Sequence, residues 1–142
     1  MYTPIGEMIG HIEDQKTKQE QIQSIRTYAE KYPEFRMFLH FAFFNKLKPL
    51  FTSIPDYAPN TVDITFSYIK MEKGLQSLKF FFEGKDMIVN TKRREDRLIS
   101  ILEEMSWLET PIYEMLVLNK FKNKILTKKL VIEALPKMET VE

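Results

Sequence analysis

The chain has no cysteine, which excludes thiolate zinc sites, disulfide frameworks and thiol redox chemistry. Glycine is scarce, with 4 in 142 residues, and no Gly-rich phosphate loop is formed by them. Neither G-x-S-x-G nor H-E-x-x-H occurs. The two histidines, His11 and His40, stand apart in apolar helical stretches and read as ordinary core or part-exposed residues. No run approaches the roughly 18 apolar residues that crossing a bilayer requires, so no membrane partner is expected. The opening Met1-Tyr2-Thr3-Pro4-Ile5-Gly6-Glu7 has no basic stretch leading into an apolar one. No signal peptide and a cytoplasmic location are therefore expected. Excess charge is missing too. A net charge of +1 excludes a histone-like or polybasic protein but leaves room for a local basic face.

Acidic pairs do occur, as Glu13-Asp14, Glu95-Asp96 and Glu103-Glu104. Adjacent carboxylates on a helix diverge by about 100° and do not readily share a metal or a proton, so they read as solvated faces. The chain is expected to hold no catalytic residues, metal or cofactor and to act by binding, not as an enzyme.

What is present is an apolar, aromatic chain: 44% hydrophobic residues, including 11 Phe and 6 Tyr, far too apolar for disorder. The punctuation and periodicity predict one all-α domain over 1–142, a compact bundle of about six to seven helices. Thr3-Pro4 opens a helix with the stripe Ile5, Met8, Ile9, Ile12. Thr17 and Glu20 form a capping box before Ile22, Ile25, Ala29 and Tyr32, and Pro33 breaks the chain. A third helix carries Phe35, Phe38, Leu39, Ala42 and Phe43. Residues 45–60, with Pro49, Pro55 and Pro59, read as the main loop, whose Leu47, Leu50, Phe51, Ile54 and Tyr57 should pack back onto the domain. From Asn60-Thr61 the spacing of Ile64, Tyr68, Met71, Leu75, Leu78 and Phe82 predicts the longest helix, about five turns, with Phe66, Ile69 and Phe80 opposite and Gly84 at its end. Asn90-Thr91 opens a helix with Leu98, Ile101, Leu102 and Met105 inward. Thr110-Pro111 opens another, with Ile112, Met115 and Leu116. Thr127 caps a last short one with Leu130, Val131, Ala134 and Leu135. Lys124-Ile125-Leu126 is a weak extended candidate, and 137–142 read as a frayed tail.

The basic residues carry the functional signal. Lys92, Arg93, Arg94 and Arg97 crowd a helix start, where positive charge opposes the helix dipole and anions are favoured. Glu95 and Asp96 partly offset them. Lys120, Lys122, Lys124, Lys128 and Lys129 form a second run without an acid. Cations beside helix N-termini suit phosphate; a solvated surface explains the same residues equally simply. Arg94 is in register with Leu98, Ile101 and Met105. It either projects into a groove between helices or bonds the carbonyl end of a neighbouring helix. The run Phe35, Phe38, Phe41, Phe43, Phe44 reads as core, with base stacking as the alternative. Within Phe80-Phe81-Phe82 one ring is left over for exposure or a partner. Trp107 reads as core, with an interface as the alternative.

The stretch Thr91-Lys92-Arg93-Arg94-Glu95 leading into Leu98-Ile99-Ser100-Ile101-Leu102-Glu103, then Lys120 to Leu126 and Thr127-Lys128-Lys129-Leu130-Val131 with Ala134-Leu135-Pro136, resembles a family of small, uncharacterised tailed-phage proteins. That family in turn looks like the N-terminal helical DNA-binding domain of ATP-dependent DNA ligases, particularly phage ligases. The Lys/Gln-rich helix with Ile22 and Ile25, the Phe-rich helix, the basic turn Lys46-Leu47-Lys48 and the apolar Leu50-Phe51 are consistent with it. The ligase motif K-x-D-G, whose lysine takes the adenylate, is absent. The resemblance implies a free-standing relative of the DNA-gripping domain that cannot seal nicks. Domains of this type hold duplex backbone across the minor groove with little sequence preference.

The expected function is thus that of a phage accessory protein, in the host cytoplasm, binding duplex or nicked DNA through phosphates. Lys92, Arg93, Arg94 and Arg97 would form one site and Lys120, Lys122, Lys124, Lys128 and Lys129 the other. The alternative is a protein-interaction module that inhibits or redirects a host or phage protein through Phe81, Trp107, Ile54 and Tyr57.

Overall fold

The computed structural model describes residues 3–67 and 69–140. The chain is all-helical. Its α-helices are α1 (Ile5–Asp14), α2 (Lys18–Lys31), α3 (Pro33–Leu39), α4 (Met71–Ser77), α5 (Thr91–Glu104), α6 (Thr110–Val117) and α7 (Lys128–Ala134). A π-helical turn, His40–Phe44, follows α3, and 3-10 turns occupy Ile64–Phe66, Leu78–Phe81 and Pro136–Thr140. Among the described residues there is no strand, only isolated bridges, and no helix is long and apolar enough to cross a membrane. Two compact units are present: Thr3–Asn45 with the chain from Phe121 onward, and Lys46–Lys120.

In the first unit, α1 buries Ile5, Met8, Ile9 and Ile12, the predicted stripe. Pro4 sits one place earlier than expected, as the N-cap. The capping box forms: Thr17 Oγ1 accepts from Glu20 N and the Glu20 carboxylate accepts from Thr17 N. Pro33 both ends α2 and starts α3, since its missing N–H costs nothing at a first helical position. The core then continues through Phe35, Phe38 and Leu39. Here the expected register changes. A wide turn adds a residue, so the side chain buried after Leu39 is Phe44, five places on. Ala42 and Phe43 are left half-buried at its edge. Thr127 caps α7 by accepting from Leu130 N; Leu130, Val131 and Ala134 pack inward, while Leu135 is half-buried. Residues 137–140, expected to fray, lie in the 3-10 turn; the rest of that tail, 141–142, lies outside the described residues.

In the second unit the predicted five-turn helix does not form. Its inward positions Met71, Leu75, Leu78 and Phe82 are buried as expected, but the helix proper is only α4 and its 3-10 extension. Lys70 is extended, with φ −100° and ψ 166°. Tyr68 lies outside the described residues. The physical reason is competition. Thr61, Val62, Ile64 and Thr65 are β-branched and disfavour helix, while the end of α5 offers carbonyls in need of donors. Glu104 O accepts from Ile69 N (3.2 Å) and from Asn60 Nδ2 (3.2 Å), and Trp107 N donates to Asn60 O (3.0 Å). Asn60 therefore pairs with Ser106 and Ile69 with Met105, in two isolated parallel bridges. Phe66 is left 79% exposed. The main loop is pinned as well. Leu50 N donates to Phe81 O and Glu83 N to Lys48 O. Leu50, Phe51, Ile54 and Tyr57 are half-buried, but Leu47 is exposed, against expectation.

Asn90 caps α5 by accepting from Arg93 N, and Leu98, Ile101, Leu102 and Met105 are buried as predicted. In α6, Pro111 stands in the first turn as expected, but Ile112 and Met115 are half-buried and Tyr113, Leu116 and Val117 fill the core. The Tyr113 hydroxyl donates to Gly74 O at 2.7 Å, and burial raises its pKa above the usual tyrosine range. A Cβ on Gly74 would meet Met105 Cε at 2.5 Å and Tyr113 Cε1 at 2.9 Å, so this helical glycine is set by close approach. Gly74→Ala is expected to cost about 1–2 kcal/mol net, overpacking outweighing the better helix propensity. A urea melt should show a lower midpoint with the same slope.

Candidate nucleic-acid interface

Lys120 apart, the two predicted basic clusters fall in different units. That of α5 is largely committed to its own structure. Lys92 Nζ pairs with Asp96 at 2.9 Å, one turn on, and this hydrogen bond raises the lysine's pKa. Arg94 donates from Nη1 to Ile88 O at 2.7 Å and more weakly to Val89 O, with its guanidinium 5.9 Å from the Phe51 ring centroid. It thus bonds carbonyls of the loop before its own helix, the structural alternative in kind though not with the partner expected. Arg93 is exposed. Arg97 lies over Phe80 at 5.5 Å, and Lys79 approaches the same ring at 5.6 Å. With Lys73 they line a cavity of about 430 Å³ that also contains Glu104. Lys73 and Lys79 were missed in the sequence. The only sign was the juxtaposition of Lys79 with the Phe80 ring, and the break of the expected long helix hid the rest.

The run after Lys120 is different. Lys120 is exposed and belongs to the second unit. From Phe121 the chain is irregular but alternating. Phe121, Asn123 and Ile125 are half-buried while Lys122 and Lys124 are exposed, but the expected extended piece Lys124-Ile125-Leu126 is a bend, turned by the Asn123 side chain. Asn123 holds the segment by accepting at Oδ1 from Ile125 N (2.9 Å) and Leu126 N (2.8 Å). Leu126 is fully buried. The Phe121 ring stands edge-on to Phe38 (5.2 Å, 90°) and to Phe43 (5.6 Å, 85°).

These elements border an open surface hollow of about 480 Å³, with Phe43, Phe121 and Leu126 among its apolar lining and Lys122, Lys124 and Lys128 as its cations. No carboxylate lines it. Lys128 Nζ lies 5.6 Å from the Phe44 ring centroid. Lys124 also borders a neighbouring hollow with Lys129 and Lys18, where the one carboxylate, Glu133, is taken by Lys18 at 2.7 Å. Of the predicted residues, the structure therefore brings Lys122, Lys124 and Lys128 together and sets Lys129 beside them. Phe43 completes the site. Its helical-stripe position had assigned it to the core.

The predicted protein interface is corrected in part. Phe81 is fully buried, under Phe51 at 5.8 Å between ring centroids, and Phe80 is the half-exposed ring of the three. Ile54 and Tyr57 are half-buried, and the Tyr57 hydroxyl donates to the Glu114 carboxylate; burial first, then that bond, raises its pKa. Trp107, read as core, is 52% exposed. His11 is exposed, with Nδ1 on the Tyr28 hydroxyl at 2.7 Å, and His40 is half-buried. Among the described residues no group of His, Asp and Glu is arranged to hold a metal ion. No protein-family model, curated protein or solved structure matches the chain.

Arg94 and Arg93 should separate cleanly. Arg94→Met is expected to lower stability by about 1–2 kcal/mol through the loss of a charged hydrogen bond at a part-buried carbonyl. Arg93→Met should change it by less than about 0.5 kcal/mol. Paired thermal melts would show the difference.

Proposed function

We propose that this chain is a non-enzymatic accessory protein that grips nucleic-acid backbone with little sequence specificity. One observation carries the reading: Lys122, Lys124 and Lys128 converge on a single cavity that no carboxylate lines. Neither Lys122 nor Lys124 makes an ion pair among the described residues. A surface selected only for solubility intersperses the two signs. Three lysines that make no ion pair among the described residues, around one hollow at whose edge Asn123 Nδ2 donates to the Glu13 carboxylate (3.4 Å), create a positive potential that a polyanion satisfies. Lys129 and Lys18 extend the same field next to it. The phosphate reading of the α5 cluster is weaker, because Lys92 and Arg94 are already engaged. The ligase-like and tailed-phage resemblances point the same way, and on them the setting would be the host cytoplasm. No cofactor is needed for such a role.

A second reading has its own observation. Val62 and Leu108 are each 52% exposed, as is Trp107, and Phe66 is 79% exposed. The Asn60–Trp107 hydrogen bond draws the stretch that holds Val62 to the one that holds Trp107 and Leu108. An apolar cluster of this kind suits a protein partner, a host or phage protein on the resemblance.

Fluorescence anisotropy with a labelled oligonucleotide, repeated over a salt series, tests the first reading. If about five phosphates are neutralised, the log–log slope should be roughly −4 to −5. Replacing Lys122, Lys124 and Lys128 together by Gln should weaken binding about tenfold or more near 0.1 M salt and move the slope toward zero by about 2–3. A flat salt response, or a triple variant that binds like the parent, contradicts it.

A further inference from the structure

Resting on the backbone-binding reading, we propose that the hollow at Phe43 and Phe121 receives an unpaired base, so that the chain selects single-stranded over duplex nucleic acid. Phosphate alone would need only the lysines. Instead, the cations stand around a lining that is mainly apolar, with two aromatic rings and a volume of about 480 Å³, within the range of small-ligand pockets. A flat apolar group flanked by negative charge matches that combination, and a nucleotide within a strand has both parts. A base in a duplex is already stacked and paired, and extruding it costs a few kcal/mol. An unpaired base brings its face at no such cost.

The placement of Phe43 supports a binding role. A regular continuation of α3 would have carried it inward with Phe35, Phe38 and Leu39. The π-helical turn at His40–Phe44 instead buries Phe44 and leaves Phe43 at the cavity. Such turns replace good α-helical bonding and recur where a side chain must be re-aimed. Phe121, perpendicular to Phe43 at 5.6 Å, braces the ring from inside the unit, and Asn123 fixes the lysine-bearing segment by two backbone hydrogen bonds. Stacking on such a ring is tolerant of base identity; the lysines would hold the phosphates on either side of the stacked base.

The test compares a short oligothymidylate with an abasic oligomer of the same length and phosphate count, and with a duplex, all at one salt concentration. The oligothymidylate should bind roughly tenfold tighter or more than the abasic strand, and tighter than the duplex. Phe43→Leu should bring oligothymidylate and abasic strand within about twofold of each other, and Phe43→Tyr should keep them apart; thermal melts of both variants confirm the fold. Equal, salt-sensitive binding of all three probes overturns base insertion while leaving the backbone reading standing. Binding to none of them at low salt overturns both.

Discussion

Every α-helix here is 7 to 14 residues long, a length at which an isolated helix barely persists in water. Each exists because one apolar stripe is covered by its neighbours, and α2, α5 and α7 also begin at a side chain that accepts from a free backbone N–H. That constraint governs both units. In the first, α2 is covered by α1, α3 and α7, and its start is locked by the Thr17–Glu20 capping box. In the second, α4 lies close enough to Tyr113 of α6 that a Cβ at position 74 would crowd its ring. The last carbonyl of α5 recruits another segment, accepting from Asn60 Nδ2 and Ile69 N.

The same constraint explains what could be read from the residues. Stripes and caps are local, so α1, α2, α5 and α7 were legible, down to Thr17, Asn90 and Thr127 as caps. The stretch 60–70 was not. Its apolar spacing continues that of α4 without interruption, and periodicity alone cannot register that Asn60 and Ile69 find partners at Glu104 and Trp107, some forty residues away. The register change at His40–Phe44 was equally hidden, since Phe41, Phe43 and Phe44 are interchangeable in a pattern of apolar residues. Trp107 and Phe81 exchanged their expected roles for the same reason: tertiary packing decides which aromatic ring is covered.

Charge obeyed a similar division. The sequence placed cations in two runs but not their counter-charges. Asp96 reaches Lys92 at a helical spacing that could be anticipated, whereas the loop carbonyls that take Arg94 could not. What sets Lys122, Lys124 and Lys128 apart is position: they border an apolar hollow instead of a carboxylate. In a protein with a net charge of only +1, a local field of this kind is built by arrangement, not by surplus.

The most direct test of the cavity as the nucleic-acid site is a nuclear magnetic resonance titration of isotope-labelled protein with single-stranded oligothymidylate at low salt. The expected result is saturable change concentrated on Phe43 and on the segment from Phe121 to Lys128, with Val62, Phe66 and Trp107 unmoved. Changes that bypass Phe43 and the 121–128 segment, or none at all at high oligonucleotide concentration, would contradict it.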